Sequence, residues 1–233
     1  MGTTTEPGEG LRERKKRLMR QQLSDTAAEM FLARGFDAVR VADVAAACGV
    51  SEKTVFNYFP SKEALLLDRL EATPEALSTA LARTEVTPLE ATLGVLADEL
   101  ASALGSVAGP DRAGAVAAHL RFGDLIDQTP ALNAYRSAMT ERSVAVACRA
   151  LASRTGGAPD SPELLITAAA LVGLWRVQAS SLRRHLERGG DPAGLGPAVT
   201  ADVERAARVL ERGLGGSGHA AALLPSRPGR VRR

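Results

Sequence analysis

The fold is decided by the stretch from Val41 to Lys62, which reads VADVAAACGVSEKTVFNYFPSK. Val41, Val44 and Ala45 recur at the spacing that places apolar side chains on one face of a helix. Gly49 follows where that helix would end, and glycine adopts the left-handed backbone of a helix end without steric strain. The pattern predicts a short helix closed by a tight turn.

A second helix is predicted immediately after the turn. Ser51 can cap it, because a serine hydroxyl accepts a hydrogen bond from the free N–H groups at a helix start. Pro60 ends this helix, since the residue before a proline is pushed out of the helical conformation, and Ser61 is placed to cap the next one. Two short helices joined by a turn form a helix-turn-helix, which presents its second helix to the major groove of DNA.

The two faces of this second helix predict different roles. Val55 and Phe59 are four residues apart and belong to the face that packs on the core. Lys53, Thr54 and Asn57 lie on another face, free to meet DNA. A lysine donates to guanine or to a phosphate, an asparagine pairs two ways with adenine, and a threonine suits a phosphate oxygen or a thymine methyl. For each residue taken singly, a solvated surface position is the alternative.

Further DNA contacts are predicted beside this face. Phe56 can touch a thymine methyl, and the hydroxyl of Tyr58 can reach a phosphate, although Tyr58 could equally be a core aromatic with its hydroxyl at the rim. Lys62 lies at the start of the next helix, where its charge and the free N–H groups both favour a phosphate. Ser51 completes the candidate contacts of the segment.

The segment VADVAAACGVSEKTVFNYFPSKEALL resembles the DNA-binding segment of TetR-family transcriptional regulators. That segment has a helix, a Gly-Val-Ser turn, a recognition helix with spaced aromatics, and then Ser-Lys-Glu. The resemblance covers residues 12–70 and implies DNA-contacting roles for Thr54, Phe56, Tyr58 and Lys62.

This chain departs from the family pattern at three positions. Arg40 stands where the family commonly has a capping Thr or Ser; an arginine cannot cap, but it could neutralise a phosphate there. Phe56 stands where tyrosine is common, so one hydroxyl contact is missing. Glu52 can favour the helix dipole, accept from cytosine, or pair with Lys53. The operator sequence therefore cannot be read from the motif.

The charges of the chain are unevenly distributed, although the net charge is only +2. One acid, Glu13, lies within a run of six basic residues: Arg12, Arg14, Lys15, Lys16, Arg17 and Arg20. A solvated helix end is one interpretation of this run. Phosphate contact, with Arg14 and Lys15 as candidates, is favoured by the motif that follows, and would make DNA binding fall steeply with salt.

No pattern in the sequence indicates catalysis. Cys48 and Cys148 are isolated, which favours small buried hydrophobes over metal or redox chemistry. The histidines are scattered, and no HExxH pair, GxSxG elbow or glycine-rich phosphate loop occurs. We expect no enzyme activity, no metal and no cofactor. The N-terminus lacks a signal peptide, and no run approaches the ~20 apolar residues of a membrane span, so a cytoplasmic protein without a membrane partner is expected.

An all-α fold is expected, because no useful length of chain alternates with period two. A small helix-turn-helix domain of three helices would precede a larger helical domain. A helix through Leu65 and Leu70 is expected to be ended or kinked by Pro74. Later helices are expected to begin at Thr87-Pro88, Gly109-Pro110, Thr129-Pro130 and Ser161-Pro162, and Gly189-Gly190-Asp191-Pro192 is expected to break the chain before a last helix. The predicted domains are a flexible tail (1–11), the helix-turn-helix domain (12–70), the larger helical domain (71–215) and a disordered basic tail (216–233).

By resemblance to the family, the larger domain would bind a ligand and form a homodimer. Its last two helices, about 162–188 and 193–214, would build the interface. Candidate stripes are Leu171/Leu174/Trp175/Gln178 and Val199/Val203/Leu210, although such stripes usually mean intramolecular core. The ligand pocket is expected among bulky or polar residues that interrupt an Ala/Leu background, although ordinary core or surface is their more frequent role; they are His119, Phe122, Tyr135, Met139, Trp175 and Gln178.

These features predict a homodimeric, sequence-specific repressor that binds a palindromic operator in double-stranded DNA and is released by a small apolar or amphipathic effector. One alternative is a sequence-independent DNA-binding protein that uses the basic run and the helix-turn-helix. The other is an enzyme with a DNA-binding annex, which the missing catalytic residues disfavour.

Overall fold

The computed structural model describes residues 10–108, 111–189 and 191–214, except for the side chains of 69–72 and 214. Within these residues the chain forms ten helices and no strand, which confirms the all-α class. Except for residues 10 and 11, the predicted tails lie outside the described residues. The helices are α1 (Leu11–Arg34), α2 (Val41–Ala47), α3 (Glu52–Tyr58), α4 (Lys62–Leu66), α5 (Asp68–Ala82), α6 (Pro88–Ser106), α7 (Arg112–Gln128), α8 (Pro130–Thr155), α9 (Pro162–Arg188) and α10 (Pro192–Leu214).

Most helix starts lie where the sequence places a cap. The hydroxyl of Thr87 accepts from the N–H of Glu90 at 3.1 Å, and the Glu90 carboxylate accepts from the N–H of Thr87 at 2.8 Å. This reciprocal pair satisfies two of the N–H groups left free at the start of α6. Ser161 caps α9 through the N–H of Leu164. The caps are local, which is why the sequence predicts them well.

Of the two outcomes expected at Pro74, a helix end or a kink, the helix end is wrong. The interruption lies instead at Leu67, which leaves the helical conformation, and α5 then runs through Pro74 to Ala82. A proline inside a helix costs about 3 kcal/mol, because it removes a hydrogen bond and crowds the preceding turn. Leu77 and Leu81 follow it and are fully buried, and their burial stabilises the continued helix by a similar or larger amount.

Two compact units make up the chain. The first holds residues up to Asp68 together with 121–135, and the second holds 69–120 and the residues from Arg136 onward. The sequence placed its domain boundary at residue 70 and did not anticipate that 121–135 group with the first unit. The core of the first unit is aromatic: the rings of Phe31 and Phe36 lie 5.1 Å apart, and Phe59 is fully buried.

The second unit is a bundle of helices with an aliphatic core. One cluster joins α5, α8 and α9 and includes Leu81, Leu151 and Leu171. A second joins α6, α9 and α10 through residues such as Leu100 and Val199. Burial of these faces against one another accounts for the helical pairing of α9 with α10.

One described helix, α9, is long and apolar enough to cross a membrane by length and composition alone. Judged by its length and hydropathy, α9 does not meet the expectation that no segment approaches a membrane span. Its most apolar window is 44% buried inside the protein, however, and the core helix of a water-soluble bundle has the same length and composition. The helix is therefore weak evidence for a membrane span.

Candidate nucleic-acid interface

The first helix of the motif and its turn form as the spacing predicts. Val44 and Ala45 of α2 are buried, and Val41 lies beside them at the edge of the core. Gly49 has a φ of 68°, in the left-handed region, and the next N–H, of Val50, donates to the carbonyl of Ala45 at 3.0 Å. The turn thus satisfies a carbonyl at the end of α2 and redirects the chain into α3.

The second helix, α3, buries one face and exposes the other. Ser51 caps it by accepting from the N–H of Thr54 at 3.1 Å, and the two hydroxyls are 2.8 Å apart. Val55 and the following Phe59 are both fully buried, which fixes the orientation of the helix. The hydroxyl groups of Ser51 and Thr54 are therefore held near the start of α3, where N–H groups and hydroxyls together suit a phosphate.

The exposed face of α3 carries the residues predicted to read bases. Lys53 and Asn57 are exposed, Phe56 is 47% exposed, and Glu52 lies at the exposed start of the helix. Tyr58 is half-buried, which matches a ring at the core with its hydroxyl at the rim. The ring of Phe56 is therefore an exposed apolar group between Lys53 and Asn57. Exposed apolar groups of this size often mark a surface that is covered in a complex.

Lys62 is held by aromatic rings rather than standing free. Its ammonium lies 4.3 Å from the centre of the Phe36 ring and 5.7 Å from that of Phe31. A cation over a ring face is attracted by the ring's quadrupole. The contact holds Lys62 at the start of α4, next to the Ser61 cap, whose hydroxyl accepts from the N–H of Ala64 at 3.2 Å.

Arg20 differs from the exposed basic residues of the run, because its guanidinium is engaged by other residues of the first unit. Its guanidinium lies 4.6 Å over the ring of Phe59 and donates to the carbonyl of Tyr58 at 2.7 Å. It also donates twice to the carboxylate of Asp68, once at 2.8 Å through Nε. Arg20 therefore ties α1 to the end of α3 and to the start of α5.

Arg40 starts α2 in a way that the sequence did not predict. The guanidinium of Arg40 cannot accept a hydrogen bond from a free N–H group at the start of α2. The N–H of Asp43 donates instead to the backbone carbonyl of Arg40, and the carboxylate of Asp43 accepts from the N–H of Arg40 at 2.9 Å. The guanidinium also pairs with Asp43 at 3.0 Å, and these hydrogen bonds hold the pKa of Asp43 below its ordinary value. Asp43 thus replaces the missing cap, and any phosphate would have to share Arg40 with it.

The first turns of α1 present the remaining basic residues to solvent. Arg12, Arg14, Lys15 and Lys16 are all exposed. They alternate around the helix, which is the form of a basic arm rather than of a packed surface. Together with the exposed face of α3, they form the part of the first unit best suited to an anionic polymer.

Comparison with known proteins decides the family. Residues 23–68 match the model of bacterial regulatory proteins of the tetR family. The chain is also 35% identical over 155 residues to the HTH-type transcriptional regulator TcmR of Streptomyces glaucescens, covering 66% of this chain and 67% of that protein. The chain belongs to the TetR family of transcriptional regulators. TetR-family members are ligand-responsive repressors that bind DNA, and this regulator is accordingly a DNA-binding transcriptional regulator.

Two more distant similarities extend the comparison. A protein named as a regulator of mycofactocin biosynthesis in Mycobacterium tuberculosis, MftR, is 39% identical over 59 residues, which is 25% of this regulator and 30% of that protein. A crystal structure of a TetR-family protein from Mesorhizobium loti is 17% identical with a TM-score of 0.47, over 84% of this regulator and 98% of that chain. The backbone similarity is limited, and the family assignment depends on the sequence matches.

None of the residues predicted for a ligand pocket lines the cavity described in the second unit. An open cavity of about 530 Å³ lies between α5 and α8 of the TetR-family regulator, and its lining includes Glu75, Arg142 and Arg149 but none of the six predicted residues. Gln178 is buried, and the other five are half-buried: His119, Phe122, Tyr135, Met139 and Trp175. The pocket stays a prediction.

One polar residue of the second unit was missed by the sequence reasoning. Glu99 of α6 accepts a hydrogen bond from the indole N–H of Trp175 at 2.7 Å and another from the hydroxyl of Thr73 at 2.8 Å. Its burial raises its pKa above the ordinary value. The sequence carried a signal: Glu99 interrupts the apolar face of α6 between Leu96 and Leu100.

Proposed function

We propose that this TetR-family regulator binds a palindromic operator in double-stranded DNA as a homodimer, represses transcription there, and is released by a small apolar or amphipathic effector. The observation that carries the DNA-binding part is the exposed face of α3, where Lys53, Phe56 and Asn57 stand in water on a helix fixed by buried Val55 and Phe59. A helix oriented in this way inserts into a major groove without rearrangement.

The contacts divide into base reading and phosphate binding. Asn57 pairs with adenine and Lys53 with guanine, while Phe56 meets a thymine methyl. Phosphates are bound around them by hydroxyls, by basic side chains and by the arm at the start of α1. The proposed phosphate contacts are Arg14, Lys15, Arg40, Ser51, Thr54, Tyr58 and Lys62.

The homodimer forms through α9 and α10 in this proposal, but not through the stripes first considered. Leu171, Leu174, Val199 and Val203 are buried inside the chain, so they cannot also be buried against a partner. Apolar side chains exposed on the same two helices are Leu165, Ile166 and Val209. A partner chain that covers them would complete the burial of both helices.

The effector and the cellular location follow the same reasoning. A ligand changes the spacing of the two recognition helices in a dimer only if it binds one arrangement of the dimer more tightly than the other. An apolar or amphipathic molecule matches a helical bundle whose interior is aliphatic. A regulator of transcription acts where the DNA is, so we expect a cytoplasmic protein. We propose no enzymatic activity and no cofactor for it.

The test is a gel-shift titration with DNA that the protein itself selects from fragmented genomic DNA. Asn57→Ala should weaken operator binding about 10- to 100-fold, because a bidentate contact to adenine contributes about 1–3 kcal/mol. Lys62→Ala should also weaken it. Gln128→Ala is the matched control, since it removes an exposed amide outside the helix-turn-helix and should leave the affinity unchanged. In each variant the dimer should persist.

A competition with random DNA separates the proposal from sequence-independent binding. A repressor should prefer its operator by about a thousandfold or more. Equal affinity for random DNA, with Asn57→Ala indistinguishable from the wild type, would establish the sequence-independent alternative.

A further inference from the structure

Glu99 is a carboxyl group set among apolar residues at the meeting point of three helices. Thr73 reaches it from α5 and Trp175 from α9, and Glu99 itself belongs to α6. Trp175 also packs beside a hydrophobic cluster that includes Leu96 and Leu174. The three polar groups therefore form a small polar centre, which we call the Glu99 centre, in an otherwise aliphatic bundle.

Among the described residues, none brings a positive charge to the Glu99 centre. Both hydrogen bonds come from neutral donors, and no described lysine, arginine or histidine lies within ion-pair distance of the Glu99 carboxylate. The influences on its pKa are burial and these two hydrogen bonds, without a contribution from any charge. A carboxylate withdrawn from water is costly unless a cation compensates it. A ligand cation would compensate the cost of keeping Glu99 ionised.

The centre is also accessible to a ligand. Neither Glu99 nor Trp175 is fully buried, so each keeps surface that another molecule can contact. The indole ring adds a second reason for a cation, because its face attracts positive charge. The hydrophobic cluster beside Trp175 also holds the partly buried side chains of Leu93 and Val177, and such an apolar surface suits the hydrocarbon part of a ligand.

We propose that Glu99, with Trp175 and Thr73, is the polar anchor of the effector site, and that the effector is an organic cation with an apolar body. The inference rests on the ligand response in the proposed function and narrows the effector from any amphipathic molecule to a cationic one. In this site Glu99 pairs with the cationic group, and the hydrogen bonds from Thr73 and Trp175 hold the carboxylate in position.

Trp175 is the only tryptophan of the 233-residue chain, so its fluorescence reports on this site directly. The probes are octylammonium, octanoate and 1-octanol, which share one apolar chain and differ in charge. Octylammonium should change the emission of Trp175 in a saturable way, with an affinity at least about tenfold above that of the other two, as expected for one hydrogen bond to a charged group. Equal or tighter binding of octanoate or octanol would overturn the proposal.

Glu99→Gln is the decisive variant, because its amide oxygen can still accept from the indole N–H of Trp175 and its NH2 group can donate to the hydroxyl of Thr73, while the charge is lost. The preference for octylammonium should disappear in it. Asp98→Asn removes an exposed carboxylate from the neighbouring position of α6 and should keep the preference. A preference that survives Glu99→Gln would contradict the role of Glu99.

The pH dependence of the wild type gives a second test that needs no variant. A cation binds the ionised carboxyl, so its affinity should rise with pH through the raised pKa of Glu99 and level off above it. The groups that face Glu99 are Thr73 from α5 and Trp175 from α9, and neither titrates in this range; the side chains of 69–72 lie outside the described set. Affinity for octylammonium that is constant from pH 4 to 8 would overturn the proposal.

The operator measurement keeps this proposal distinct from the proposed function. Octylammonium at saturation should lower the affinity for the operator, whereas octanoate should not. If octylammonium binds at Glu99 and the operator affinity is unchanged, the effector role is overturned while DNA binding stands. If no operator is preferred at all, the repressor function fails and the fluorescence results remain valid.

Discussion

Asp202 of α10 connects the last two helices through a set of hydrogen bonds. Its carboxylate accepts from the hydroxyl of Ser181 at 2.6 Å and from the guanidinium of Arg184 at 3.1 Å, both on α9, and it also pairs with Arg205. His185 lies 3.4 Å away. The hydrogen bond from Ser181, followed by the contacts with Arg205 and His185, lowers the pKa of Asp202 to about 2.

Asp202 should therefore make the stability of the protein depend on pH in the acid range. A carboxyl group whose pKa is depressed on folding stabilises the folded state above its unfolded pKa of about 4, and this stabilisation is lost as the pH falls toward 2. Arg184 and Arg205 are 48% and 64% exposed, so screening reduces the effect to on the order of 1 kcal/mol.

Melting curves between pH 2 and pH 7 measure this effect. Asp202→Asn should lower the melting temperature by about 2–4 °C at pH 7, and should flatten the decline between pH 4 and pH 2. Asp98→Asn, at an exposed position of α6, should leave both unchanged. An unaltered acid slope in Asp202→Asn would show that other carboxyl groups cause it.

Arg14 and Lys15 make a prediction about salt. If each binds one phosphate, then Arg14→Ala and Lys15→Ala should each reduce the slope of log affinity against log salt by about 0.9. Gel shifts at several salt concentrations measure the slope. Arg149→Ala removes an exposed arginine from α8 and should not alter it. Unchanged slopes in both α1 variants would mean that the start of α1 is a solvated helix end.

At the scale of elements, Arg20 connects three segments of the first unit. Its hydrogen bond to Tyr58 occupies a carbonyl at the end of α3, and its ion pair with Asp68 fixes the start of α5. The orientation of α3 therefore depends in part on a side chain of α1. Arg20 is a positioning residue for the recognition helix.

Arg20→Lys should destabilise the protein by about 1–2 kcal/mol, because lysine cannot reproduce the forked contact with Asp68 and Tyr58. Operator affinity should fall beyond the effect of unfolding. A double-mutant cycle with Asp68→Asn should give a coupling of about 1 kcal/mol. The exposed pair of Arg83 and Glu85 is the matched control and should show almost none. Additive effects in the Arg20 cycle would contradict the positioning role.

The elements also show which features a sequence predicts. The Ser51 cap, the Gly49 turn and the end of α3 before Pro60 depend on residues within one or two turns, and all were predictable. Arg20, by contrast, was grouped with its exposed neighbours because its partner Asp68 lies 48 residues away. Glu99 was missed for the same reason: its partners come from two other helices. The helix end predicted at Pro74 was wrong because the burial of Leu77 and Leu81, which continues the helix, is a tertiary effect.

At the scale of the whole molecule, the proposed homodimer requires a face of α9 that the chain itself leaves exposed. Leu171 and Leu174 pack inside the chain, which matches the intramolecular-core alternative for this stripe. The opposite face carries exposed Leu165 and Ile166, and then the small exposed residues Ala169 and Gly173. Small residues allow two helices to approach closely, so this face suits a second copy of α9.

Gly173→Glu should convert the dimer to a monomer that is still folded. A side chain at Gly173 would meet no atom within 4 Å in the chain, and glutamate favours a helix more than glycine does, so the fold should persist. A charged side chain buried between two chains is costly, so sedimentation should show a monomer at concentrations where the wild type is a dimer. Operator affinity should then fall by at least about tenfold, because the two half-sites would no longer be bound by one linked pair.

Gly94→Glu provides the control, since Gly94 is an exposed glycine of α6 with equally open surroundings, and it should keep both the dimer and the affinity. A Gly173→Glu protein that remains dimeric would place the interface on a different surface.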